Sequence, residues 1–401
     1  MSSSIIRQTF EKGQGVFHLA PTWVPRNFNQ AGQRLRLHPD DYFALGMRRG
    51  SIKERWFSSV IPAANGPLAP ADEGLSYVIA DERSNDPAGK FLFRAAVQEL
   101  GAELIGATLW QKYANWPMYA KFFDYKQPLF HHLHLDDAAA GRVNRLGKPE
   151  AYYFPLQMNN YGGDFPVTYF GFDPGVTKEM VRQRLLDYET RDTRLTELSR
   201  AYRLTPGTGW YVPAGVLHAP GSLLTYEPQW NSEVGAVFEN VAAGAILARQ
   251  SLVSNVPPEE KDNVDYIMGL MNWEINVDPQ FSQHYFRPPL PIPQVDAGFA
   301  EQWITYAAPY FSAKQLSVAP GASVLVKDCA AYGCILVQGH GSFGGYVAET
   351  PTLLRFGQFS ADEFFVSQAA AQAGVAIVNH SRYEPLVILK HFGPNNSDAP
   401  Q

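Results

Sequence analysis

Apolar positions recur along this chain at two periods, and the switches between them mark its elements. Residues 91–107, FLFRAAVQELGAELIGA, carry apolar side chains three and four apart, which predicts a helix. From Tyr119 to Asp137 the spacing shortens toward alternation, so YAKFFDYKQPLFHHLHLDD reads as strands. Residues 151–159 and 166–172 read as two more. Helical spacing returns over 177–203, where Val181, Leu185, Leu195, Leu198 and Tyr202 would share one face. Strands resume over 209–215, 223–229 and 234–239. A second strand-rich block starts near Glu301, and 316–328, 332–343 and 373–393 alternate apolar runs with Gly and Pro turns. Residues 1–60 read as irregular. The stretch 254–300, holding SNVPPEEKDNV and RPPLPIPQ, reads as a connecting region packed on the surface.

Composition agrees with a strand-rich molecule. Thirty prolines, 33 glycines and 13% aromatics favour short strands and turns, and an apolar fraction of 45% is ample for sizeable cores. A length of 401 residues implies two domains or one large one. A formal charge of −6 without a basic run argues against nucleic-acid binding. No apolar run approaches about 18 residues, so no membrane span is expected. The N-terminal MSSSIIRQTFEKGQG lacks the apolar centre of a signal peptide. Cys329 and Cys334 are the only cysteines, which gives no disulfide framework and makes a cytoplasmic location the default expectation.

The chemistry concentrates in three short segments: FHHLHLDD (130–137), GKPEAYY (147–153) and WYVPAGVLHAPG (210–221). Residues two apart on a strand share a face, so His132 and His134 would point together while His131 and Leu133 point away. Glu150 opens a neighbouring strand, and His218 follows a Pro-Ala-Gly turn. Four such residues suit one divalent ion. Three imidazoles and a carboxylate suit Zn²⁺, Fe²⁺, Mn²⁺ or Ni²⁺, and hard Ca²⁺ or Mg²⁺ less well. His38 in LRLHPDDYFALG, followed by Glu54, lacks a His-x-His and reads as a turn or helix start. His340, Glu349, His380 and His391 follow a similar order in the C-terminal half without the flanking motifs. GHGSFGG (339–345) reads as a turn with no phosphate-binding context.

These segments resemble those of the class I mannose-6-phosphate isomerases, zinc-dependent cupins, as a divergent member. YAKFFDYKQPLFHHLHLDD is similar to that family's segment ending in Gln-Val-His-Pro-Asp-Asp, GKPEAYY to its Gly-Lys-x-Glu motif and VPAGVLHA to its Pro-Ala-Gly-x-x-His-Ala motif. YEPQWNSEV (226–234) is similar to its Glu-x-Gln-x-Asn-Ser-Asp motif, and KERWFSSVIPAANG (53–66) faintly so to its Gly-Glu-x-Trp-x-x-Ser segment. The likeness is good over about 119–240 and weak beyond about 260. It implies an all-β core made of two cupin barrels, a bicupin, with helical insertions. Residues 1–260 would form the metal-binding barrel, with an irregular N-terminal extension and the insertion 177–203. Residues 261–300 would connect it to a degenerate barrel at 301–401.

The resemblance also implies aldose–ketose isomerisation, with Lys148 polarising a substrate oxygen, Glu233 opening the sugar ring or moving a proton, and Glu227 in the pocket. The partner is then a small carbohydrate, and the molecule a monomer or homodimer. Three departures qualify this. His132 stands where the family has Gln. Phe130 stands where the family has a phosphate-binding Ser, and Val237 where it has an Arg. A phosphate dianion needs cationic or hydrogen-bonding partners, so the substrate is expected to differ from mannose 6-phosphate. Two other classes use the same donors: a metal-dependent cupin dioxygenase and a non-catalytic sugar-binding protein that keeps its metal as a clamp.

Overall fold

Strands dominate the computed structural model, which describes residues 4–81, 89–160, 165–242, 244–293 and 298–401. Two antiparallel sheets enclose the candidate site. The first has seven strands, in the order Phe286–Arg287, Gly209–Val212, Glu150–Tyr153, Thr225–Trp230, Met118–Phe123, Ser51–Phe57 and Thr22–Arg26. The second has five, in the order Ser199–Arg203, Val167–Phe172, His218–Ala219, His132–Leu133 and Ala236–Val237.

The seven-stranded sheet is buried on both faces, and alternation decides what each face carries. Ala120, Phe122 and Tyr226 pack outward against Ala313, Ile335 and Leu389 of a nine-stranded sheet. Tyr119, Lys121, Glu227 and Glu150 occupy the other phase, toward the five-stranded sheet. Cross-strand register puts Glu227 opposite Lys121, and Gln229 beside Glu150. The outward phase thus supplies packing together with one buried cation, Arg55, paired with Asp362 and Glu363, and the inward phase supplies the polar groups of the cleft.

The nine-stranded sheet draws mainly on residues 290–392, but its order runs through Glu363–Val366 to Val16–Ala20, then Tyr77–Ile79 and Lys90–Leu92. Val16 pairs with Val366 and His18 with Phe364. The first 60 residues are therefore not irregular. They hold a helix, Ile5–Lys12, and strands Val16–Ala20, Thr22–Arg26 and Ser51–Phe57 in two different sheets. A four-stranded sheet, in the order Ser323–Val326, Val375–Asn379, His340–Phe343 and Tyr346–Glu349, accompanies the C-terminal strands.

Three other expectations need correction. The helix over 91–107 is broken into Phe93–Leu100, Ala102–Ile105 and Ala107–Tyr113, because Gly101 and Gly106 adopt φ of 51° and 89°. The strand over 151–159 stops at Tyr153; Pro155 follows, then a turn of 3-10 helix at Leu156–Met158. The helix over 177–203 ends at Leu186, and Ser199–Arg203 is a strand. Short polar side chains compete with the helix there: Asp192 accepts from the Arg194 amide at 2.8 Å, and Asn240 donates to the Arg191 carbonyl at 2.7 Å. Tyr202 consequently sits on the strand, not on the helical face. Val181, Leu185, Leu195 and Leu198 still share one core, reached from three local conformations.

The region 254–300 does more than connect. Its short helices and the turns between them bury Ile267, Leu270, Met271 and Phe281 against the cores beside the two sheets. Asn276, fully buried, accepts from the Leu217 amide at 2.8 Å and donates to the Gly215 and Asn272 carbonyls at 2.8 and 2.7 Å. It thereby fixes the turn that leads into His218. Gly171 answers it from the five-stranded sheet: φ is +60°, and a Cβ would lie 2.3 Å from the Asn276 carbonyl oxygen. Asn276→Ala leaves three buried backbone groups without this partner and should cost about 2–3 kcal/mol. Urea unfolding checks this; a lower midpoint at unchanged slope is expected, and an unshifted midpoint would show the anchor to be dispensable.

Candidate metal centre and its cleft

His132, His134 and His218 come together between the two sheets. Their candidate ligand atoms lie within 4.8 Å of one another. Backbone register starts this: His218 pairs directly with His132 across neighbouring strands, and His134 follows the same strand. Backbone carbonyls finish it. The Nδ1 of His132 donates to the Phe130 carbonyl at 3.0 Å, that of His134 to Val234 at 2.7 Å and that of His218 to Val216 at 2.8 Å. A carbonyl only accepts, so each Nδ1 carries the proton and each Nε2 lone pair is turned inward. His131 faces away, where its Nδ1 meets Glu239 at 2.7 Å.

Glu150 faces the triad from the opposite sheet. Its Oε2 is 2.9 Å from His134 Nε2, and its Oε1 is 3.2 Å from His218 Nε2. Lone pairs on both sides at such distances call for a cation between them. The buried Lys148 ammonium already answers that demand, at 3.1 Å from His134 Nε2 and 3.3 Å from Glu150 Oε2. His218 Nε2, fully buried, has no hydrogen-bond donor or acceptor in good geometry among the described residues. Tyr152 donates its hydroxyl to Glu150 and orients it. Burial holds His132 well below its ordinary pKa and brings His134 down to about 4, so both are neutral, as ligation requires. Burial works to raise the Glu150 carboxyl, but His134 and Lys148 outweigh it and hold it well below the usual range. The donor set fits one divalent ion of the zinc type.

The other expected site residues line the same cleft, of about 1020 Å³. Glu227 lies 3.2 Å from Lys121 and 4.0 Å from Lys148. Burial and the Glu150 charge push its carboxyl well up, against the pull of the two lysines. Glu233 accepts from the Tyr119 hydroxyl at 3.0 Å and from Arg26 at 3.2 Å. Burial would raise it too, but Arg26, Lys148 and Lys121 prevail and hold it below its ordinary value. Two neighbouring carboxyls are thus pushed in opposite directions. Phe130 and Val237 both line the cleft.

Sequence reading missed four lining residues. Arg26 forks onto Glu54 with two bonds of 2.9 Å, and Tyr125 donates to the same carboxylate at 2.7 Å. Lys121 faces Glu227. Arg145, exposed at the mouth, has no ion-pair partner among the described residues. Arg26 and Lys121 had one available signal, a lone cation inside an otherwise apolar strand pattern. Glu54 proves to be part of the cleft, while His38 only caps a turn, its Nδ1 accepting from the Asp40 amide at 3.2 Å. In the C-terminal half, buried His391 accepts from the Tyr226 hydroxyl at 2.8 Å, whereas His340 is exposed and pairs across strands with Glu349.

No protein-family model and no curated protein matches the chain. Solved structures do. The mannose 6-phosphate isomerase from Bacillus subtilis superposes with a TM-score of 0.60 and 19% identity, covering 94% of this chain and 100% of its own. A variant of the phosphomannose isomerase from Salmonella typhimurium gives 0.62 and 10%, with 94% and 99% covered. A zinc-bound mannose 6-phosphate isomerase gives 0.60 and 10%, with the same coverage. The chain therefore has a mostly β fold of the kind those isomerases have. No helix among the described residues is long and apolar enough to cross a membrane.

His134→Ala and His218→Ala should each remove most bound metal from protein purified with zinc. Elemental analysis decides: full occupancy in either variant would show that the ion is held elsewhere.

Proposed function

We propose that this protein is a metal-dependent aldose–ketose isomerase acting on a sugar or sugar derivative, with the two-barrel division at about 260–300 implied by its resemblances. The observation that carries the reading is the convergence of three inward Nε2 atoms, Glu150 and a buried lysine in one cleft with an acid–base pair. His132, His134, Glu150 and His218 hold the ion, most suitably zinc. Once bound there, such an ion would supply Lewis-acid polarisation of the substrate.

The chain's own groups handle the protons. Isomerisation moves a proton between C1 and C2 through an enediol, and needs a base and an acid placed on one cleft. Glu233, kept ionised by Arg26 and Lys148, serves as the base or opens the ring. Glu227, pushed toward its neutral form, serves as the acid. Carboxyls driven apart in this way are the usual means of running both steps at one pH. Lys148, 4.0 Å from Glu227 and against the ligand set, polarises the substrate oxygen as negative charge develops. A dioxygenase has no use for this pair, and a structural clamp has no use for a lysine buried among ligands.

Phe130 and Val237 present apolar surface where the resemblance implies a phosphate-binding Ser and Arg. We therefore assign a substrate other than mannose 6-phosphate. Free and phosphorylated aldoses and ketoses, followed by NMR in D₂O, test the reading; deuterium entering C1 or C2 is the expected signature, and oxygen uptake without exchange would replace it with the dioxygenase. Mannose 6-phosphate should turn over poorly, and robust turnover would place the phosphate on Arg145 instead. Lys148→Met should keep its metal and lose about 10²–10⁴-fold in kcat; retained activity would remove Lys148 from the mechanism.

A further inference from the structure

A second cavity, of about 820 Å³, lies on the other side of the segment that carries Arg26 and Asn27, which line both cavities. Its charge is one-sided. Arg26, Arg34, Lys53 and Lys126 line it, and no Asp or Glu does among the described residues. The two arginines are spent: Arg26 on Glu54 and Glu233, Arg34 on Asp124 at 2.6 Å. The two lysines are not, because no carboxylate among the described residues lies within ion-pair distance of either. Lys126 is exposed, while Lys53 is only 1% exposed.

A buried ammonium with no carboxylate in contact among the described residues is costly, and the strand is irregular at this one. Val24 pairs with Glu54 and Pro25 with Ile52, so Lys53 is the extra residue of a β-bulge. A bulge re-aims one side chain out of the strand's alternation, and Pro25, which has no N–H to give, sits opposite it. Lys53 Nζ donates to the Arg26 carbonyl at 2.6 Å and the Ser51 carbonyl at 3.3 Å, which leaves its third proton. Burial brings this ammonium down to about 8. The facing wall is preformed as well. Asn29 and Gln33 hold left-handed φ of 60° and 64°, and Asp124 pins their loop through Arg34 and through the Gly32 amide at 2.9 Å from its carbonyl.

We infer that this cavity is a binding site for a small organic oxyanion, separate from the metal cleft, with Lys53 and Lys126 as its charged contacts. Its volume exceeds what a bare inorganic ion fills. The amides of Asn27 and Gln30 and the half-exposed ring of Phe43 suit a hydroxylated body attached to the charged group. Phosphate and carboxylate share the required chemistry. The site is independent of the isomerase reading, because none of its residues is among the proposed metal ligands or the acid–base pair.

Calorimetric titration of the full-length, zinc-loaded protein tests this, with inorganic phosphate, a hexose 6-phosphate and citrate as probes. Saturable binding is expected for at least one probe, and the contrast between phosphates and citrate identifies the preferred oxyanion. Lys126→Gln should weaken it about tenfold, the loss of one charge-assisted contact, and Lys53→Met should abolish it. Should Lys53→Met fail to fold, Lys126→Glu reverses an exposed charge and should abolish binding in a folded protein. Binding should persist in His134→Ala. No saturable binding up to about 10 mM, binding that survives the lysine variants, or binding lost in His134→Ala would each overturn the assignment.

Discussion

A sheet buried on both faces must satisfy its polar groups without bulk water. The seven-stranded sheet meets that constraint asymmetrically, and the cleft follows from it. Its outward face packs against the nine-stranded sheet through an apolar cluster and one buried cation, Arg55, which is paired with Asp362 and Glu363. Its inward face carries Arg26, Glu54, Lys121, Glu150 and Glu227, each compensated by a neighbour. A buried charge network is weak evidence of stability, since desolvation offsets most of the attraction. A network whose members also face a cavity and an ion site has a chemical reason to be there.

The C-terminal strands provide the contrast. Lys314 and Lys390 project among the aromatic rings of Trp303, Tyr332 and Phe392, and both meet Asp328, at 2.7 and 2.8 Å; Glu301 completes the quartet. Two cations and two carboxylates there close upon one another. Charge is thus buried in both halves of the molecule: the N-terminal network lines a cleft, whereas this quartet closes on itself.

Much of this was readable in the sequence, and the remainder was hidden for definite reasons. The His-x-His alternation, Glu150 at a strand start and His218 after its turn place four donors together, because strand geometry ties spacing to side-chain direction. Arg26 and Lys121 were missed because their partners are 28 to more than 100 residues away, and Arg145 because it has no ion-pair partner among the described residues. The strand Val16–Ala20 could not be assigned to its sheet, because its partner lies at Glu363–Val366. The helix over 177–203 was overextended because its apolar residues do converge on one core, and periodicity alone cannot reveal that Asn240, in a bend far along the chain, binds the backbone beyond the helix end.

The three carbonyls that orient the histidines carry a consequence for drift. Phe130, Val216 and Val234 orient the imidazoles through main-chain oxygen, and every amino acid has that atom. A change of side chain at these positions leaves the orienting atom in place. A donor set anchored in this way is inherited through backbone shape, not through neighbouring residue identity. The surrounding wall can differ in composition with the inner imidazoles undisturbed. Such a scaffold can hold its fold at identities of 10–19% to its structural neighbours.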